Sequence, residues 1–232
     1  MIEVRTHAGF GTTSSARLDA LHHFSFAGYL HPERDGFGHL RVLNHAVLAP
    51  RAEIRPQPID GVDIVTFVRR GALEHMGSFT DGCRTIAGEV QLISTSGGIE
   101  HGLYNPGNRP AEYVEIRVRA ASTGDRPARH VAPFPTRDQK SRLIVLASAF
   151  AQDRGAMPAR ADARIWAARI RTGDALSRKL ACGRRAYALC LSGRLEVNGA
   201  ALGARDAAAI AGEPLIHLRA VSGCELLLIE TA

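Results

Sequence analysis

Along most of its length the chain repeats one pattern. Runs of four to nine residues rich in Val, Ile, Leu and aromatic side chains are closed by Gly, Pro, Asn or Asp. Runs of this composition are read as β-strands, and their stops as turns. The pattern predicts strands over residues 40–49, 63–71, 72–75, 89–94 and 112–119 in the first half. In the second half it predicts strands over 143–147, 163–170, 185–193, 194–199, 215–218 and 224–230. Residues 112–119 alternate polar and apolar positions, as a half-buried strand does. Gly71 is expected to turn 72–75 back beside 63–71, and Gly193 to do the same between 185–193 and 194–199. Residues 79–84, with Asp81-Gly82, form an expected turn, and Asn198-Gly199 is the strongest hairpin signal in the chain. The two halves therefore rhyme. Short strands at this spacing predict an all-β protein of two antiparallel, jelly-roll-type barrels in tandem.

Between them the character changes. Prolines 127, 133 and 135, with Ser122, Gly124 and Asp125, predict a linker or extended crossover. The expected organisation is a first barrel over 1–121, the crossover over 122–142, and a second barrel over 143–232. Near the start, residues 18–30 are dense in aromatic and small side chains. They predict an arm laid over a barrel, with Phe24 and Phe26 inserted. Adjacent His22 and His23 face opposite sides of an extended segment and cannot chelate one ion together; structural roles are expected for both.

Composition excludes several classes. At 232 residues, 45% apolar and 22% charged, the chain has enough apolar sequence for a sizeable core. It has no apolar run long enough for a membrane span and no pattern of a secretory leader. Cysteines 83, 182, 190 and 224 lack C-x-x-C spacing, so they read as reduced thiols of a cytoplasmic protein. The formal charge of +6 comes almost wholly from arginine, lysine occurring only at 140 and 179. These arginines are scattered and not interleaved with aromatics, which predicts a solvated surface and not a nucleic-acid interface. Nucleophilic and phosphate-binding chemistry find no G-x-S-x-G and no Gly-rich loop opening a helix. Glu112 and Glu115 lie on opposite faces of their strand by their odd spacing. What remains is Gly98-x-x-His101-x-x-x-Asn105, a histidine held between a glycine pair and an Asn-Pro turn.

Several stretches together resemble the pirin family of the cupin superfamily, in particular its bacterial quercetin 2,3-dioxygenase branch. They are Leu21-His22-His23-Phe24-Ser25-Phe26-Ala27, residues 36–44, residues 73–78, residues 87–91, and Ser96-Gly97-Gly98-Ile99-Glu100-His101 with Tyr104-Asn105-Pro106. The match is looser around 193–199. The resemblance implies a bicupin whose first barrel carries a His-x-His and a His-x-Glu metal site. Those four positions fall here on Gln57, Ile59, His101 and Leu103, so only His101 keeps a ligand-type side chain. Asp63 stands where the wider cupin pattern has a glutamate ligand, and His75 is expected with Glu74 at the barrel rim; both are candidate auxiliary residues. Gln57 is expected to bond His101 or a backbone group. His217 is alone in the second half, so no metal is expected there.

Hydrocarbon side chains have no lone pair for a cation, so a degenerate metal site and no resident metal are expected. No catalytic residue is assigned. The expected function is binding of an aromatic small molecule, or regulation through a protein partner, without contact with membrane or nucleic acid. The competing expectation is a metal-dependent flavonol 2,3-dioxygenase using iron, manganese, nickel or copper through His101, Gln57 and Asp63. Ile59 and Leu103 either make the pocket more lipophilic or plug it.

Overall fold

In the computed structural model nearly all the regular structure is strand, and the described residues are 1–79, 82–120, 126–136 and 141–232. The first half contains β1 (Ile2–Arg5), β2 (Gly11–Ser14), β3 (Leu18–His22), β4 (Leu40–Leu48), β5 (Glu53–Ile59) and β6 (Val62–Arg70). It continues with β7 (Ala72–Met76), β8 (Arg84–Ile86), β9 (Glu89–Ser94), β10 (Ile99–Tyr104), β11 (Ala111–Arg119) and β12 (Ala128–Pro133). The second half contains β13 (Ile144–Ser148), β14 (Met157–Pro158), β15 (Ala163–Ile170) and β16 (Ala175–Lys179). After these come β17 (Arg185–Val197), β18 (Ala200–Leu202), β19 (Ala207–Ala211) and β20 (Leu215–Thr231). No helix among the described residues is long and apolar enough to cross a membrane. Parts of two expected features, Asp81 of the 79–84 turn and residues 122–125 and 137–140 of the crossover, lie outside the described residues.

The chain forms two compact units. One comprises Gly11–Phe134 and Met157–Asp162; the other comprises Met1–Phe10, Pro135–Ala156 and Ala163–Ala232. The first contains an antiparallel sheet in the order β12-β9-β6-β11-β4-β3-β2 and a smaller one in the order β5-β10-β7-β8. Neither sheet closes into a barrel. Ala46, Leu48, Val68 and Tyr113 from the larger sheet share one buried cluster with Leu73 and Leu103 from the smaller. Each fully buried aliphatic side chain of this kind contributes about 1.5–3 kcal/mol.

The expected hairpin at Gly71 is corrected here. β6 pairs with β9 and β11, whereas β7 pairs with β8 and β10, so the chain leaves one sheet for the other at Gly71. Gly71 has φ +75°, and a Cβ there would lie 3.2 Å from the Ala111 Cα. Strand β12 occupies residues expected in the crossover. It extends the sheet edge along β9, a position where its terminal Pro133 is tolerated.

In the second unit β1 pairs with β19, so the first strand of the chain joins a sheet built from its C-terminal half. Here too the glycine turn is corrected. β17 runs without reversal from 185 to 197, and β20 runs without interruption through residues expected as two strands. The β17–β20 register shifts around Gly193, whose added Cβ would sit 2.2 Å from the Gly223 oxygen. Gly193 thus marks a bulge that bends the strand, not a hairpin. Asn198-Gly199 does form the expected two-residue turn, with φ of +46° and +84° and Val197 opposite Ala200.

Candidate functional site

The larger and smaller sheets of the 11–134 unit enclose a cavity of about 300 Å³. Alternation along each strand decides what faces it. β3 supplies Leu18, Ala20 and His22; β4 supplies Asn44 and Ala46; β11 supplies Tyr113, Glu115 and Arg117. The facing sheet supplies Ile54 and Gln57 from β5 and His101 to Leu103 from β10, while Phe26 and Ala27 come from the arm. Gly102 belongs in this list for a steric reason. A Cβ there would lie 2.6 Å from the Ile54 oxygen, so β10 and β5 approach closely only because residue 102 is glycine.

Both sheets contribute aliphatic and polar side chains to the lining. On β11, the Arg117 Nε donates to Glu115 Oε1 at 2.7 Å, and the Arg117 guanidinium lies 5.4 Å from the Phe26 ring centroid. Burial alone would raise the Glu115 carboxyl. The Arg117 charge, with the neighbouring His101 imidazole, outweighs burial and holds it down at about 2. Burial drives the Tyr113 phenol well above its ordinary range. His101 is 6% exposed, and its Nδ1 shares a hydrogen bond of 2.8 Å with His75 Nε2. The His101 Nε2 has no hydrogen-bond partner among the described residues and stands 3.9 Å from Glu115 Oε2. That span is too long for a direct hydrogen bond.

The residues singled out from sequence meet different fates. Gln57, His101 and Leu103 come together at the cavity. Gln57 is exposed and lies opposite His101 in the ladder, but the imidazole bonds His75 instead of the expected amide. Leu103 is 2% exposed and belongs to the apolar core. Ile59 does not line this cavity: it lies opposite Ile99 and packs against Ile64, Ile93 and Ile99. Asp63 does not line it either. It is buried, accepting at Oδ1 from Ser94 Oγ at 2.6 Å and at Oδ2 from the backbone N–H groups of Arg160 and Ala161 at 2.6 and 2.7 Å. Its role here is to anchor the 157–162 segment.

His75, expected at the rim, is buried behind His101; its strand crosses to the smaller sheet at Gly71 and pairs with β10, not with β6. His22 does reach the cavity, yet both ring nitrogens are engaged. Nδ1 lies 2.9 Å from Asn44 Oδ1 and Nε2 lies 2.8 Å from Thr13 Oγ1. Since the Asn44 oxygen only accepts, Nδ1 donates and Nε2 accepts from the threonine hydroxyl in the neutral ring. The His23 ring stacks on His45, 5.9 Å between centroids.

Sequence reasoning missed Glu115 and Arg117. The available signal was their spacing: 113, 115 and 117 share one face of β11, and the residues between them are Val114 and Ile116. As donors for a metal these side chains make a poor set. Among the described residues no group of three or more His, Cys, Asp or Glu side chains could hold an ion. His101 is the one ligand-type residue at the four implied positions.

Comparison with known proteins agrees with the fold. The family model described as Pirin matches residues 3–118, and that described as Quercetinase C-terminal cupin domain matches 145–231. A pirin-like protein of Caulobacter vibrioides is 36% identical over 232 residues, covering 100% of both chains. A quercetin 2,3-dioxygenase of Escherichia coli is 28% identical over 231 residues, covering 99% of this chain and 98% of its own. The crystal structure of the bacterial pirin YhhW from Escherichia coli, in complex with nickel(II), matches with a TM-score of 0.93 at 28% identity. It covers 100% of this chain and 99% of YhhW. The two units described above are therefore the two halves of a bicupin, and the chain belongs to the pirin family.

Proposed function

We propose that this protein is a pirin-family bicupin that binds an aromatic small molecule in the cavity of its 11–134 unit without a resident metal, in a regulatory and not a catalytic role. One observation carries this reading: three of the four implied ligand positions hold Gln57, Ile59 and Leu103, which leaves the Nε2 of His101 as the one ligand-type nitrogen among them. A divalent ion needs three or four N or O donors. Ile59 and Leu103 offer none, Asp63 spends both oxygens on Ser94 and on the 160–161 backbone, and a lone amide at 57 is a weak neutral donor. The donor set does not fit an ion, and no reaction step is routed through one. The cavity supports ligand binding in a different way, as a largely apolar slot with a few fixed polar groups. Cytoplasmic residence, a protein partner as the alternative output, and no contact with membrane or nucleic acid complete the reading.

The competing reading is a metal-dependent flavonol 2,3-dioxygenase. The name of the Escherichia coli relative and the nickel in YhhW favour it, as does the retained His101. Purification from medium supplemented with iron, manganese, nickel and copper separates the two. The expected result is metal well below one equivalent and no loss of quercetin absorbance under oxygen beyond the buffer control. Near-stoichiometric metal with quercetin consumption would overturn the proposal. A nucleic-acid role would show as strongly salt-dependent binding; none is expected at low salt.

A further inference from the structure

An open cleft of about 520 Å³ lies on the sheet of the other unit, where β15, β20 and β17 run side by side. Ile170 and Cys224 face each other across β15 and β20, and both belong to the apolar cluster beneath that sheet. Alternation turns their neighbours to the opposite face. These are Arg169 and Arg171 on one side, Gly223 and Glu225 on the other, and all four line the cleft. β17 adds Ser192 through an irregularity. The ladder sets Cys190 against Leu226, and unbroken it would set Ser192 against Cys224. A register shift sets Ser192 against Glu225 instead, and so brings its side chain to the cleft.

Two features of this cleft go beyond what holding the sheet together requires. The first is Gly223, which has neither of the usual reasons for a glycine. Its φ is not in the left-handed region, and a Cβ there would meet nothing closer than the Ile170 oxygen and Thr172 Oγ1, both at 3.9 Å. Glycine weakens a strand interior, so its effect here is to keep the floor of the cleft open. The second is charge. Arg169 Nη2 lies 2.9 Å from Glu225 Oε1, its partner across the strands. Arg171 has its backbone N–H held by Ser141 Oγ at 3.1 Å, but its guanidinium pairs with no described residue. The Ser192 hydroxyl likewise bonds no described residue. One positive charge is left over at the edge of an open floor.

We propose that this cleft binds a small organic carboxylate, at a site separate from the cavity of the 11–134 unit and independent of the reading given for it. The planar fork of Arg171 matches the two oxygens of a carboxylate. The rest of the molecule extends over Gly223 toward the Ser192 hydroxyl. A monoanion cancels the charge that Glu225 leaves uncompensated. A phosphate dianion would bring a second negative charge up to Glu225, and a cation would meet two guanidinium groups.

The test uses the whole isotope-labelled protein at low chloride, with butyrate, its uncharged counterpart butyramide, and inorganic phosphate as probes. The readout is the amide resonances of Ser192, Gly223 and Glu225. Butyrate is expected to saturate their shifts at a concentration at least about tenfold below that needed by butyramide, the margin of one hydrogen bond between charged partners. Arg171→Gln is expected to remove that preference. Gly223→Val places a side chain on the floor and suits a strand better than glycine, so it should abolish the shifts without lowering the melting temperature. Equal response to butyrate and butyramide would overturn the assignment, as would no response to either; this comparison is made on the unaltered protein and stands whatever the variants do. A butyrate preference that survives Arg171→Gln, undiminished shifts in a folded Gly223→Val, or tighter binding of phosphate than of butyrate would overturn it too.

Discussion

Glu115 is the buried carboxylate of the cavity, and replacing it by glutamine keeps its shape while deleting its charge. The charged groups facing it are Arg117 on its own strand and His101 from β10, with Tyr113 two residues away and His75 behind His101. Its carboxyl lies at about 2 in the folded protein against an ordinary 4.5. A depression of that size is worth about 3 kcal/mol of stability at neutral pH. Truncating one partner of a fully buried pair costs about 3–5 kcal/mol. The Arg117 side chain is 23% exposed and can recover part of its hydration, which reduces the cost. Glu115→Gln is therefore expected to lower the unfolding free energy of the 11–134 unit by about 2–3 kcal/mol at pH 7. Because the folded-state value is depressed, the contribution is complete above the unfolded-state value and is lost as pH falls through the folded one. The difference between parent and variant should hold down to about pH 4.5 and shrink to about 1 kcal/mol at pH 3. The single tryptophan, Trp166, belongs to the other unit and so is not a local probe of this one. Urea unfolding followed by hydrogen exchange at the β11 amides reports this transition. A difference below about 0.5 kcal/mol at pH 7, the yield of an ordinary surface substitution, would refute the reasoning. So would a difference that is unchanged at pH 3.

Three further outcomes follow from local geometry. Gly193→Ala should cost at least about 3 kcal/mol or prevent folding, because its Cβ would press on the Gly223 oxygen; Gly199→Ala, in open space at a similar φ, should cost only about 1–2 kcal/mol in thermal melts. Asn105 is buried, donating from Nδ2 to the carbonyls of Leu48, Ala49 and Arg109 and accepting from Gly107 N–H. Asn105→Ala should cost about 2–4 kcal/mol, and Asn105→Asp more, since a carboxylate would turn an acceptor toward three carbonyl oxygens. Burial pushes the thiols of Cys190 and Cys224 up to about 12 and about 11. Native-state alkylation with iodoacetamide should therefore modify exposed Cys182 first and leave these two unmodified until denaturant is added.

What was legible in the chain was local. Asn198-Gly199 specifies a two-residue turn by its own backbone preferences, and the strand runs announce themselves by composition. Gly71 and Gly193 show where this stops. A strand, a glycine and another strand describe equally well a hairpin, a bulge, and a passage from one sheet to the next. The choice depends on partners far away in sequence: β10 and β8 for the residues after Gly71, and β20 for those around Gly193. The same limit hid the charged residues of the site. Alternation along 112–119 reads as a strand with a wet face and a dry one, but β11 lies inside its sheet and both its faces are largely covered. Alternation alone thus does not assign Glu115 and Arg117 to a cavity. His101 was found because its flanking glycines and Asn-Pro turn form a local motif, whereas the burial of His75 follows from the sheet switch that sequence left unseen.

Ile59 and Leu103, two of the positions the family resemblance assigns to ligands, sit in apolar structure in different ways, which bears on how an ion could be held there. Ile59 packs among Ile64, Ile93 and Ile99, so Ile59→His would place an imidazole in a hydrocarbon cluster away from His101. Leu103 lines the same cavity as Glu115 and belongs to the core, so Leu103→Glu would bring a second carboxylate into a poorly hydrated space already holding one. Burial and like charge would both disfavour its ionised form, the only form that ligates. Each single reversion then costs stability before any ion repays it, and the ion's contribution grows only with the logarithm of its concentration over its dissociation constant.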